Sequence, residues 1–142
     1  MIIRGITTAA RYLWAAPASA VGVWGALLAL RGGHVAVVDG VLEAHGPLLG
    51  RILQSCSPLS GGTAAITFGH VVLARDAAAL ECTRGHERVH VAQYERWGPL
   101  FIPAYLAVGA WAWYHGLHPY FDNRFEQEAR FKGRWRNTHE NC

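Results

Sequence analysis

Charge is what this 142-residue chain has least of. Charged residues make up 16% of it, against about 25% in a typical soluble domain. Lysine is all but absent, since Lys132 is the sole lysine among thirteen basic residues. The formal net charge of +3 is small. Its basic residues are scattered, apart from Arg130, Lys132, Arg134 and Arg136, which at that spacing ring a helix rather than form a stripe. This excludes a strong nucleic-acid footprint, although such a tail could touch anionic lipid heads. Cysteine is also sparse. Cys56, Cys82 and Cys142 are too few and too irregularly spaced for a disulfide framework, and the odd count predicts reduced thiols. No internal repeat breaks the chain, and its length suits one domain over 1–142 with a single core.

What the chain has instead is apolar surface, with 51% hydrophobic residues. Residues 12–30 carry no charge, and are preceded by Arg4 and Arg11 and followed by Arg31. Nineteen helical residues span about 28 Å, close to a bilayer core of about 30 Å. Three readings follow for 1–31: a retained membrane anchor, a signal peptide ending at Ala18-Ser19-Ala20, or a core or interfacial helix of a small domain. The chain is accordingly expected to be membrane-associated, or cytoplasmic if the apolar helices form a soluble core.

Residues 34–75 read as β-rich. Gly32-Gly33 ends the first helix, and Asp39-Gly40 between two β-branched runs predicts a two-residue hairpin. Residues 46–62 read mainly as loop, with a short turn of helix at Leu48–Gln54. Thr63–Arg75 is the next β stretch, with Gly69 as a turn or bulge. Residues 76–142 read as helical. Asp76 is the expected N-cap of a helix over Ala77–Trp97 that Gly98-Pro99 stops. Pro99–Tyr114 is uncharged and apolar on all sides, which predicts a buried or membrane-embedded helix. His115–Pro119 breaks it, and Asp122 or Asn123 then caps a last helix from Arg124 to about Trp135.

The chemistry is concentrated in His86-Glu87-Arg88-Val89-His90, an H-E-x-x-H pattern. Helical spacing puts His86 and His90 on one face, where both can give a nitrogen to one Zn²⁺. Glu87 points beside the metal, where a base for a metal-bound water belongs. The bland reading is a coincidental pair of surface histidines. Cys82, four residues before His86, could be a fourth ligand but reads better as a small buried thiol under the site. A catalytic zinc site keeps three protein ligands. Glu126 and Glu128 are the available carboxylates, and their spacing lets only one face the metal.

Gly85–Gln93 (GHERVHVAQ) followed by Asn123–Arg130 (NRFEQEAR) resembles the small gluzincin metallopeptidases, minimal zincins with a strand-rich N-terminal part and two active-site helices. Ala65–Gly69 before the helix, with His90-Val91-x-Gln93 in it, is similar to a bacterial domain family of unknown function with the signature H-E-x-x-H-V-x-Q. In the more distant HtpX-like and CAAX-processing peptidases the third ligand opens an E-x-x-x-D motif. Laid on this chain the Glu is Glu126, with Glu128 the second choice. The Asp position holds Arg130, a departure that leaves the histidines to be oriented by another group. The resemblance covers about residues 64–131.

It implies an α+β, minimal zincin-like fold. The elements would be an apolar N-terminal helix, a small antiparallel hairpin or sheet, the H-E-x-x-H helix, an apolar return helix and a C-terminal helix carrying the third ligand. It also implies a Zn²⁺-dependent metallopeptidase acting on a peptide or protein substrate. Glu87 would be the general base, and Val71–Ala74 would lie along the cleft rim with an edge for substrate. Tyr114, His115, His118, Tyr120 and Arg124 are candidate oxyanion donors. His118, in a loop near the third ligand, stands first. The alternatives are a non-catalytic zinc-binding protein and a membrane-associated structural or interaction protein. The other histidines, His34, His45, His70 and His139, read as surface, turn or tail residues, and the tryptophans as core or interface aromatics.

Overall fold

The computed structural model describes residues 2–55 and 62–136, with the side chains of 2–6 and 134–136 excepted. Cys56, Cys142 and His139 lie outside the described residues, as does the side chain of Trp135. The fold is α+β. Its elements are α1 (Ile2–Ala26, continued by a 3₁₀ turn at Leu27–Leu30), β1 (His34–Val38), β2 (Val41–His45), α2 (Pro47–Ser55), β3 (Ala65–Phe68), β4 (Val71–Ala74), α3 (Ala77–Trp97), α4 (Phe101–Tyr114, entered through a 3₁₀ turn at Gly98–Leu100) and α5 (Arg124–Arg136).

The four strands form one sheet in the order β1-β2-β4-β3. Asp39 and Gly40 take φ of 48° and 77°, the paired positive values that an Asn/Asp-Gly hairpin turn requires. β1 and β2 pair antiparallel around that turn, as do β3 and β4 around Gly69-His70. The two hairpins then join through a parallel pairing, Leu42 opposite Val71 and His45 opposite Ala74. So the sheet is mixed, not the antiparallel one expected. α2 and the segment after it supply the crossover that parallel strands need.

β4 is one of the two inner strands, and all four of its residues are buried. Val71–Ala74 therefore has no free edge, and the rim strand on this side is β3. Strand alternation sends Val71 and Leu73 to one face and Val72 and Ala74 to the other. The first pair packs with Ala26, Ala29, Ala44 and Leu49, and the second with Val41, Ala65, Leu80 and Val91 of the α3 side. The sheet is thus sandwiched between α1 and α3.

α1 reaches the sheet through small residues. Ala15, Ala18, Gly22, Ala26 and Ala29 recur at helical spacing on its inner face. A methyl group added at Gly22 would sit 2.5 Å from Val71 Cβ, and one at Gly25 2.4 Å from Leu73 Cδ1. The helix is held along its length. Tyr12 donates to the Gly40 carbonyl at 2.6 Å, Ser19 Oγ accepts from the His70 amide at 3.0 Å, and Trp14 lies against Gly98. Of the surface or turn roles expected for His70, the turn is the one it takes. It is buried in the β3–β4 turn, stacked on Tyr12 at 4.0 Å, with Nε2 3.2 Å from Glu95 Oε1.

α3 begins where its cap predicts. Asp76 Oδ1 accepts from the Ala79 amide at 2.7 Å. That bond, first among several, holds the Asp76 carboxyl below its usual range. A lowered folded-state pKa means stability present above about pH 4 and lost as pH falls through the lowered value. Asp76→Ala is expected to lower stability by about 1 kcal/mol at neutral pH. A denaturant titration should show this difference shrinking in acid.

α5 returns antiparallel along α3. Gln93 lies beside Phe125 and Glu128, and Gly133 beside His86. A methyl group at Gly133 would fall 2.9 Å from His86 Cα, so backbone meets backbone at this crossing. Cys82, one turn earlier on α3, is exposed and disulfide-bonded. It is neither a ligand nor a buried thiol, and the expectation of reduced thiols does not hold for it. A helix face is buried only where another element covers it, and the close contact with α5 is at Gly85 and His86.

Candidate metal centre

α3 turns His86 and His90 to the same side, and α5 brings Glu126 opposite them. The two Nε2 atoms are 3.0 Å apart. Glu126 Oε2 is 3.2 Å from His86 Nε2, and Oε1 is 3.4 Å from His90 Nε2. Ligands at about 2.0–2.1 Å from a common tetrahedral centre would be about 3.3 Å apart. The three side chains therefore already stand at the spacing of one small cation. The carboxylate of the three is Glu126, not Glu128.

Burial sharpens this. Glu126 is almost fully buried, and its Oε2 has no hydrogen-bond partner among the described residues. An orphaned buried carboxylate oxygen costs several kcal/mol unless something positive meets it. Its other oxygen is satisfied, since the Tyr105 hydroxyl of α4 donates to Oε1 at 2.7 Å. Tyr120, from the loop before α5, lies close enough to feel the charge of the same carboxylate. Burial works to raise the Glu126 pKa, but the facing imidazoles of His86 and His90, with the Tyr105 hydroxyl, outweigh it and hold the carboxyl well below its usual range. Burial likewise lowers the His90 pKa, yet Glu126 and the Glu87 charge leave it raised overall. Burial first, then the neighbouring Glu126 charge, pushes Tyr105 and Tyr120 far up. Both phenols stay protonated and act as donors.

His90 is oriented by Gln93. With its proton on Nδ1, His90 donates to Gln93 Oε1 at 2.8 Å, which leaves the Nε2 lone pair facing His86 and Glu126. Gln93 is among the most deeply buried side chains of the described residues. Its amide nitrogen donates to the Phe125 carbonyl at 3.1 Å and to Glu128 Oε2 at 2.9 Å. Gln93 therefore does what a carboxylate at position 130 would have done. Arg130 instead reaches the Phe121 carbonyl and lies over the Phe121 ring. Glu128 lies outside the cluster, bound to Gln93 and paired with Lys132. Gln93→Leu is expected to weaken metal binding about 10–100-fold with all three ligands intact. A competition titration against a chromophoric chelator would read the change.

Glu87 is buried beside the histidines, and Thr67 of β3 donates to its Oε2 at 2.6 Å. His118 is not part of the cluster. It is exposed, its Nδ1 accepts from the Tyr120 and Phe121 amides at 3.2 Å, and its own amide is bound by Asp122 at 2.7 Å. These bonds commit His118 to its turn, and the hydroxyls beside Glu126 are Tyr105 and Tyr120. Tyr114 and His115 are exposed at the end of α4, and Arg124 is exposed at the start of α5. Thr67 and Tyr105 are hard to single out from sequence. Each is one hydroxyl in an apolar run, which is the only signal either offers.

No protein-family model, no curated protein and no solved structure matches this chain.

Proposed function

We propose that the chain is a zinc-dependent metallopeptidase, with His86, His90 and Glu126 as the metal ligands and Glu87 as the general base. The observation that carries the reading is Glu126 Oε2, buried without a hydrogen bond beside two converging imidazole nitrogens. Two histidines and a carboxylate suit zinc and leave a fourth position for substrate or water. His86 is the most accessible of the three ligands, with 20% of its side chain exposed.

A zinc ion held by His86, His90 and Glu126 would supply Lewis acidity and make a water easier to deprotonate at neutral pH. The remaining steps fall to the chain's own groups. Glu87 accepts a proton and passes it to the leaving amine. Thr67 holds one oxygen of Glu87, leaving the other for the proton. Gln93 keeps the His90 ring in the tautomer that a ligand needs. Tyr105 and Tyr120, held protonated, are the donors nearest to charge developing on a carbonyl oxygen. The edge of β3, which carries Thr67, suits an extended peptide added as a further strand.

The test is cleavage of an unstructured protein and a mixed peptide library by the zinc-loaded chain, with new termini read by mass spectrometry. Cleavage that stops on chelation and returns with zinc supports the reading. Stoichiometric zinc without cleavage of either substrate would make the chain a metal-binding protein. The bond that ties Glu87 to Thr67 is the observation favouring that second reading.

A further inference from the structure

From Trp97 to Phe121 the chain has no Asp, Glu, Lys or Arg, yet most of this stretch faces outward. Ile102, Leu106 and Trp113 share one side of α4, and Trp111 and Tyr114 another. All five are exposed, Leu106 at 63% and Trp113 at 71%. Of the two expectations for 99–114, a buried or a membrane-embedded helix, the chain itself does not bury it. The outer face of α1 is similar. Leu13, Val21, Trp24 and Leu27 are exposed, Trp24 at 74%, and Leu30 follows in the 3₁₀ turn. The two surfaces meet where Trp14 lies against Gly98, beside exposed Trp97 and Leu100.

Thr7–Leu30 is long and apolar enough to cross a bilayer, but its inner face is occupied from Tyr12 to Ala29 by the sheet and by the turn at Gly98. Crossing would draw the sheet to membrane depth, together with buried Glu43 and its partners Arg84 and Arg88. Charge there is costly.

We infer that the outer faces of α1 and α4 seat this chain on a lipid bilayer, lying in the interface rather than spanning it. Four observations favour lipid over a protein partner. A protein interface has an apolar centre with a polar rim, whereas these faces carry no charged residue within them. The exposed residues of α4 also spread around the helix instead of forming one stripe. Tryptophan is normally well buried, and its place in membrane proteins is the interface; here Trp14, Trp24, Trp97, Trp111 and Trp113 are all exposed. Exposed Arg11 and Arg31 bound the first uncharged run, and exposed Arg96 opens the second, which Asp122 closes; these arginines suit contact with anionic headgroups. Tyr105 ties α4 to Glu126, so the metal centre lies under the seated helix. On the peptidase reading, on which this last step alone rests, the substrates are segments of membrane-anchored proteins close to the bilayer surface.

The test is flotation of the full chain with vesicles of phosphatidylcholine, alone and mixed with phosphatidylglycerol. The wild type is expected to float with both, more completely with the anionic mixture. Leu106→Glu with Trp113→Glu should lower the partition at least about tenfold, with circular dichroism and metal content unchanged. Quenching of indole fluorescence by brominated lipid checks the wild type independently of any variant. A wild type that stays with the lipid-free fraction and is not quenched would overturn the inference. So would a double variant that floats equally well. A dimer in lipid-free solution that the double variant splits would assign the surface to a second copy. Zinc content is measured separately, so failure here and failure of the metal reading are distinct results.

Discussion

Purified chain is expected to carry about one zinc per molecule, and His90→Ala or Glu126→Ala to reduce that to background by elemental analysis. The loss should exceed the roughly 10–100-fold typical of removing an outer hydrogen-bond partner, because a ligand itself is gone. Glu128→Ala is the informative control. Glu128 is bound to Gln93 and Lys132, outside the ligand triangle, so zinc should be retained. Binding should also fade in acid. His90 must be neutral to ligate, and its raised pKa means that protons compete with the metal at a higher pH than for an ordinary histidine. A full complement of zinc in Glu126→Ala, or none in the wild type after reconstitution, would end the metal reading.

The second large effect is on turnover. Glu87→Gln is expected to leave zinc in place and lower cleavage by about 10²–10⁴-fold, the usual contribution of a positioned acid–base group. The substitution keeps size and shape, and the Thr67 hydroxyl can still donate to an amide oxygen, so the fold should not change. Unchanged cleavage by Glu87→Gln would remove Glu87 from the chemistry. Equal loss of zinc and activity would make it a structural residue.

Local features of the sequence carried a good part of this. Asp76 and Gly98-Pro99 mark both ends of α3, and Asp39-Gly40 marks the first hairpin, because caps and turns depend on residues within a few positions. H-E-x-x-H, with the glutamate of a later helix, points to the three side chains that converge. Pairings between distant segments were not legible. Nothing near Leu42 or Val71 announces that β2 and β4 run parallel, so the rim strand was sought in β4 and the true edge, β3, was passed over. The groups that hold the site are equally non-local. Thr67 meets Glu87, Tyr105 meets Glu126, and Gln93 meets α5 only once four elements have packed. His118 looked close to Glu126 in sequence, but a turn can use a histidine for its own hydrogen bonds.

His90 and Glu126 sit at the two ends of a single excursion of the chain that contains α4. An ion joining them acts as a clip, closing a loop of some tens of residues. A cross-link of that span removes about 3–4 kcal/mol of chain entropy from the unfolded ensemble in the simplest treatment. The excursion that the clip closes is the one whose outer face is apolar. A bound ion and a bilayer would therefore constrain the same stretch from opposite sides, and thermodynamic linkage would make any coupling between them reciprocal: whatever zinc did for lipid affinity, lipid would do for zinc.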